Sequence, residues 1–140
     1  GHLGLSKLIV FYDSNEVQIS GGVSRADSTD YGAVFKGFGW HVQKIDGHDH
    51  DSIRIAIRKA QKSNQPSLII GETIMAKGSD GMEGDFNTHG APLPQDEIDA
   101  TKVKLGIKSE SFLLPEEVIT YFRYFLEDNK LHIWARGFHF

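Results

Sequence analysis

WHVQKIDGHDHDSIRIAIRKAQKSNQPSLIIGETI, Trp40 to Ile74, decides the fold of this chain. Its last segment, Ser67–Ile74, is a near-continuous apolar run, the pattern of a strand covered on both faces of a sheet. Its first segment, Trp40–Ile45, alternates more and suits a strand nearer an edge. Between them Ile53, Ala56, Ile57 and Ala60 recur at helical spacing, with Arg54, Arg58, Lys59 and Lys62 on the opposite side. Asp49 or Asp51 can cap this helix, and Asn64 with Pro66 stops it. Strand, helix and strand at this length form a βαβ unit, so the two strands run parallel.

Outward from this unit, KLIVFY (Lys7–Tyr12) reads as another buried parallel strand. Gly4 is placed to end a helix in the left-handed conformation before it. A short helix is expected over Thr29–Lys36, around Ala33, Val34 and Phe35, with Gly37 and Gly39 as terminators. After Ile74 the chain turns glycine-rich, and a loop as long as Met75–Pro94 is rarely idle in a compact domain. Helices are expected over Gln95–Leu105 and Pro115–Glu127, with Pro115 at the first helical position. These readings predict an α/β protein with three α/β/α layers around a parallel sheet. The last stretch, NKLHIWARGFHF, carries Leu131, Ile133, Trp134, Phe138 and Phe140 where a terminus is usually polar, so the expectation is either that these residues dock on the core or that the natural domain does not stop at this end.

The bulk numbers narrow the function classes. The chain has 140 residues, suited to one domain, with 39% hydrophobic and 24% charged residues. The formal net charge is −4 and no basic block occurs, which argues against nucleic acid as a partner. There is no cysteine, which excludes disulfides, thiolate metal sites and a cysteine nucleophile. No apolar run approaches the ~18 residues of a membrane span, and no secretory signal pattern is visible. A cytoplasmic protein without membrane contact is the expectation.

Three polar constellations are candidates for chemistry. Asp13, Ser14 and Asn15 stand where the first strand stops, and ligands of open α/β sheets bind beyond such carboxyl ends. An amide oxygen there suits a hard cation such as Mg²⁺, while an Asx turn closing the strand accounts for the same residues. DGHDHD, Asp46–Asp51, resembles a metal site in composition. It also sits where Asp residues cap a helix, and His48 and His50 lack the i, i+4 spacing of zinc motifs. THGAPL, Thr88–Leu93, sets His89 before a glycine that allows close backbone approach to a ligand. KGSDGMEG matches neither dinucleotide nor phosphate-loop spacing.

Together GHLGLSKLIVFYDSNEVQISG (Gly1–Gly21), GWHVQKIDGHD (Gly39–Asp49) and PSLIIGETI…THGAPL resemble, in order and spacing, the cofactor-binding N-terminal domain of the transketolase family. The resemblance covers about residues 1–123, a partial thiamine-diphosphate-binding fold, and leaves 124–140 as a divergent tail. It implies that the Asn15 side chain and the Val17 carbonyl bind Mg²⁺ or Ca²⁺, which clamps the diphosphate of thiamine diphosphate. Ile74 matches a residue that packs against the cofactor ring, and His89 one that contacts the diphosphate and donor sugar and takes part in catalysis. The implied reaction is transfer of a two-carbon ketol unit between sugar phosphates in the pentose phosphate pathway. The Gly-Asp-Gly half of the cofactor motif, with its metal-binding Asp, is not among these residues. The resemblance therefore implies a fragment, inactive alone, completed by a homodimer partner or a complementary chain. Dihydroxyacetone synthase, deoxyxylulose-phosphate synthase and a non-catalytic, partner-binding remnant are the alternatives.

Overall fold

The computed structural model describes residues 1–127 of the chain, with the side chains of 125–127 excepted. The 128–140 part of the expected tail lies outside the described residues. The chain divides into two compact units, residues 1–105 and 106–140.

The first unit is built on a three-stranded parallel sheet of β1 (Ile9–Ser14), β4 (His41–Asp46) and β5 (Ser67–Glu72), in the order β1-β5-β4. A two-stranded antiparallel hairpin, β2 (Val17–Gln18) and β3 (Gly21–Gly22), follows β1 directly. The expected βαβ unit is present, with α2 (His50–Lys62) between β4 and β5. Asp49 is the cap: its carboxylate accepts from the N–H groups of Asp51 (3.0 Å) and Ser52 (3.3 Å).

The register separates the two faces. Ile9, Ile69 and Ile45 lie on the α2 side, where Ala56 and Ala60, both buried, meet them. Small residues at these two helical positions let the helix backbone approach the sheet. Burial of a side chain such as Ile69 contributes about 1.5–3 kcal/mol. Gln43 is a polar residue on this face, and its Nε2 donates to the Ala56 carbonyl at 2.9 Å. On the other face α1 (Tyr31–Gly37) packs against β4 and β5, giving three α/β/α layers. Asp30 caps α1 by accepting from the Ala33 N–H at 2.9 Å. At its far end Trp40 N–H donates to Phe35 C=O and Gly39 N–H to Lys36 C=O, each at 3.0 Å. With Gly39 at φ +80° and the Phe35 and Trp40 rings 5.0 Å apart, this is a Schellman ending with its apolar contact.

Two expectations are corrected. The first strand runs Ile9–Ser14, not Lys7–Tyr12, because residues 1–8 form turns, with Gly4 at φ +60° as expected. It is also not buried on both faces: among the described residues it pairs only with β5, and Phe11 is 44% exposed. The buried strand is β5, covered from Ser67 to Gly71. α3 (Gln95–Lys104) completes this unit. In the second unit α4 (Glu116–Glu127) begins just after Pro115, whose carbonyl accepts from the Val118 and Ile119 N–H groups.

Candidate functional site at the carboxyl ends of the strands

Parallel pairing brings the ends of β1, β5 and β4 to one edge, with Ser14, Glu72 and Asp46 in register. The segment leaving β5 is fastened there from both sides. Toward β1, Thr73 N–H donates to Ser14 C=O at 3.1 Å, and Thr73 Oγ1 donates to Asp13 Oδ1. Toward β4, Gly47 N–H donates to Glu72 C=O at 2.7 Å, and Ile74 N–H donates to His48 Nε2 at 2.8 Å. Lys44 and Glu72 form an exposed ion pair at 2.8 Å.

Asn15 forms the Asx turn that its position allows: Oδ1 accepts from Val17 N–H at 3.2 Å. Glu16 between them takes φ +60°, a left-handed value that a tight reversal requires. Val23 N–H donates to Glu16 C=O at 3.0 Å, so Glu16 and Val23 are a hydrogen-bonded pair of the hairpin. Val17 and Gly22 are the next, non-bonded pair, and Val17 therefore turns its N–H and C=O away from β3. The Asn15 amide and the Val17 carbonyl lie on that same outer side of the hairpin. Ile74, two residues beyond the end of β5, is 42% exposed.

DGHDHD is structural. Asp46 Oδ1 accepts from His48 N–H at 2.8 Å, Asp49 caps α2, and Asp51 pairs with Arg54 at 2.7 Å. Ser52 Oγ and the Asp51 N–H, both donating to Asp49, hold its carboxyl below the usual range. Among the described residues no group of three His, Asp or Glu side chains is arranged to hold a metal.

His89 follows a 3₁₀ turn, residues 86–88, where Asp85 Oδ1 accepts from the Asn87 N–H at 2.8 Å. Its Nδ1 is buried without a hydrogen-bond partner. The loop carrying it is fastened elsewhere, by residues the sequence reading did not single out. Glu97 Oε1 accepts from Gly81 N–H (2.8 Å) and Met82 N–H (3.1 Å), and Thr101 Oγ1 from Asp80 N–H (3.0 Å). Lys104 Nζ donates to Ser79 C=O at 2.7 Å. The signal was present: Glu97, Thr101 and Lys104 share one helical face at i, i+4, i+7. Within the loop, Gly78 N–H first and Lys77 second hold the Glu83 carboxyl below its usual range. Gly84 N–H donates to Met75 C=O at 2.8 Å and returns the loop to the β5 exit.

A cleft of about 640 Å³ opens on the α1 side of the sheet, lined by Tyr12, Asp27, Tyr31, Lys44 and Glu72 among others. Ser14, Glu16 and Glu72 carry its lining to the strand-end edge, while Asn15, Val17, Ile74 and His89 do not line it. Among the described residues no helix is long and apolar enough to cross a membrane.

The family described as "Transketolase, thiamine diphosphate binding domain" matches residues 1–139. Transketolase 2 of Aliivibrio fischeri is 44% identical over 119 residues, covering 84% of this chain and 18% of that protein. Transketolase of Buchnera aphidicola subsp. Schizaphis graminum is 39% identical over 142 residues, covering 99% of this chain and 21% of its own. Among solved structures, transketolase from Campylobacter jejuni aligns with TM-score 0.83 at 36% identity over 87% of this chain and 20% of its own. Transketolase from Pichia stipitis in complex with sedoheptulose-7-phosphate aligns with TM-score 0.85 at 36% identity, over 93% and 20%. The chain thus spans about a fifth of the length of these relatives. A match over nearly every residue, together with a parallel sheet that superposes on solved relatives, means that this chain belongs to the transketolase family, in its thiamine diphosphate binding domain.

Proposed function

We propose that this chain forms part of the cofactor site of a transketolase, which transfers a two-carbon ketol unit between sugar phosphates with thiamine diphosphate and Mg²⁺ or Ca²⁺. The reading is carried by the outward-facing pair of the Asn15 amide and Val17 carbonyl at the carboxyl end of a parallel sheet. Two neutral oxygens are the hard donors that Mg²⁺ takes, alongside phosphate and water oxygens. The unpartnered, buried Nδ1 of His89 fits a second anchor, for the diphosphate and the donor sugar. Ile74, exposed at the β5 exit, offers an apolar contact for the ring. When bound, the cofactor supplies the electron sink for carbon–carbon cleavage. The share of these residues is to orient it and to exchange or share a proton at His89. The remaining donors and the rest of the substrate site come from residues other than these 140.

Two protein oxygens are far from the about six that Mg²⁺ requires, so the 140-residue chain alone binds weakly and turns over no ketose. The test is an NMR titration with thiamine diphosphate and Mg²⁺. The amides of Asn15, Val17, Ile74 and His89 shift with a Kd on the order of 1 mM, and Asn15→Ala abolishes the shifts. Shifts confined to the cleft beside α1, or a Kd on the order of 1 µM, overturn this account.

A further inference from the structure

The hydrogen-bond ladder on β5 alternates. Odd residues face β1, as Ser67 N–H to Leu8 C=O and Thr73 N–H to Ser14 C=O show. Even residues face β4, whose Gly47 N–H reaches Glu72 C=O and whose His41 N–H reaches Pro66 C=O. Ile74 is even, so its N–H points to the β4 side. There β4 has ended at Asp46 and the chain has turned toward α2, leaving no strand carbonyl opposite. His48 Nε2 fills that place at 2.8 Å.

We propose that His48 is a positioning residue, whose Nε2 replaces the missing β4 carbonyl and fixes the backbone of Ile74, the residue offered to the cofactor ring. What Ile74 is held against rests on the functional reading above; the tie itself does not. The approach is arranged on both sides of the imidazole. Asp46 Oδ1 takes the His48 N–H and sets the turn. Gly47 is the residue that lets the turn come so close: a Cβ there would stand 2.5 Å from Thr73 Cγ2 and 3.0 Å from the Glu72 carbonyl oxygen. An imidazole nitrogen accepts only when it carries no proton, so this contact requires the neutral ring with its hydrogen on Nδ1. The helix cap is Asp49, which leaves His48 no role in starting α2. The bond is exposed, so its loss loosens one segment rather than the whole sheet.

The experiment is NMR on the isotope-labelled full chain, wild type with His48→Phe and His48→Gln. Gln keeps an acceptor at comparable reach, and Phe keeps bulk without one. In the wild type the His48 ring nitrogens report the Nδ1–H tautomer; an Nε2–H tautomer overturns the proposal, and this reading needs no variant. In His48→Phe the Ile74 amide exchanges about tenfold faster while Leu68, Ile69 and Ile70 keep their protection, and His48→Gln restores the Ile74 rate. Unchanged exchange at Ile74, or equal loss at Ile74 and the β5 core, overturns it. Addition of thiamine diphosphate and Mg²⁺ then separates the two readings. A tie present by tautomer and exchange, with no cofactor response at Ile74, Asn15 or His89, sinks the cofactor assignment and leaves the positioning of Ile74 standing.

Discussion

Thr73 Oγ1 donates to Asp13 Oδ1 across the boundary between β1 and β5, sixty residues apart in the chain. The bond continues the pairing of the two strands one step past the last ladder residues, Ser14 and Glu72. Both groups lie at the edge where Asn15 and Ile74 emerge, so this contact ties one candidate site residue to the other. Thr73→Val removes the donor and keeps the shape. The expected cost is about 1 kcal/mol, below the about 1.5–3 kcal/mol of a buried bond to a charged group because the pair is exposed. Urea unfolding of the two proteins measures it, and an unchanged midpoint contradicts it.

Two glycines at this edge separate backbone from side-chain crowding. A Cβ on Gly47 meets Thr73 Cγ2 at 2.5 Å and the backbone of Glu72 and Gly71, which cannot move aside. A Cβ on Gly71 meets Phe11 Cζ at 2.5 Å, but Phe11 is 44% exposed and its ring can swing outward. Gly47→Ala is expected to destabilise by about 1–3 kcal/mol, as overpacking does. Gly71→Ala costs less, and the order of the two denaturation midpoints checks this.

α3 holds the glycine loop by its backbone, through Glu97, Thr101 and Lys104. Glu97→Ala leaves Gly81 and Met82 N–H groups to water, and their exchange is expected to rise about tenfold with the β5 amides unaffected. Glu97→Gln retains an oxygen acceptor and shows a smaller rise. Equal exchange in all three proteins would mean that the helix does not restrain the loop.

Asp27 reports on the α1 side of the molecule. Tyr31 Oη donates to its Oδ2 at 2.5 Å and Thr29 N–H to its Oδ1 at 2.9 Å. These bonds, Tyr31 first, lower its pKa from 3.8 to about 2, and the same contact raises Tyr31 above its ordinary value. A depressed carboxylate stabilises the fold above its unfolded pKa, so this contribution is complete above 3.8 and is lost as pH falls through about 2. Tyr31→Phe removes the largest cause. Carboxyl NMR titration is expected to show the Asp27 midpoint rising toward 3.8; an unmoved midpoint assigns the depression to Thr29 instead.

Much of this architecture was legible in the residues. The apolar run of Ser67–Gly71, the i, i+4 alanines of α2 and the Gly39 ending of α1 each carry a periodicity or a backbone need that sequence states directly. The burial of β1 was not legible, because an apolar strand reads alike at the centre of a sheet and at its edge, and neighbours alone decide which it is. The DGHDHD run shows the same limit. Its composition is that of a metal site, and its placement in a turn before α2 spends two of its three carboxylates on backbone N–H groups.

The sequence by itself determined the parallel α/β class and the family, and it singled out Asn15, Val17, Ile74 and His89 as candidates. Only the tertiary structure decided that Asn15 and Ile74 leave the sheet at one edge, that Val17 turns its carbonyl outward, and that His48 serves Ile74. The physical reason is that a hydrogen-bond partner is chosen by register between strands. Asp13 and Thr73 are sixty positions apart, as are no residues whose contact a local pattern can state.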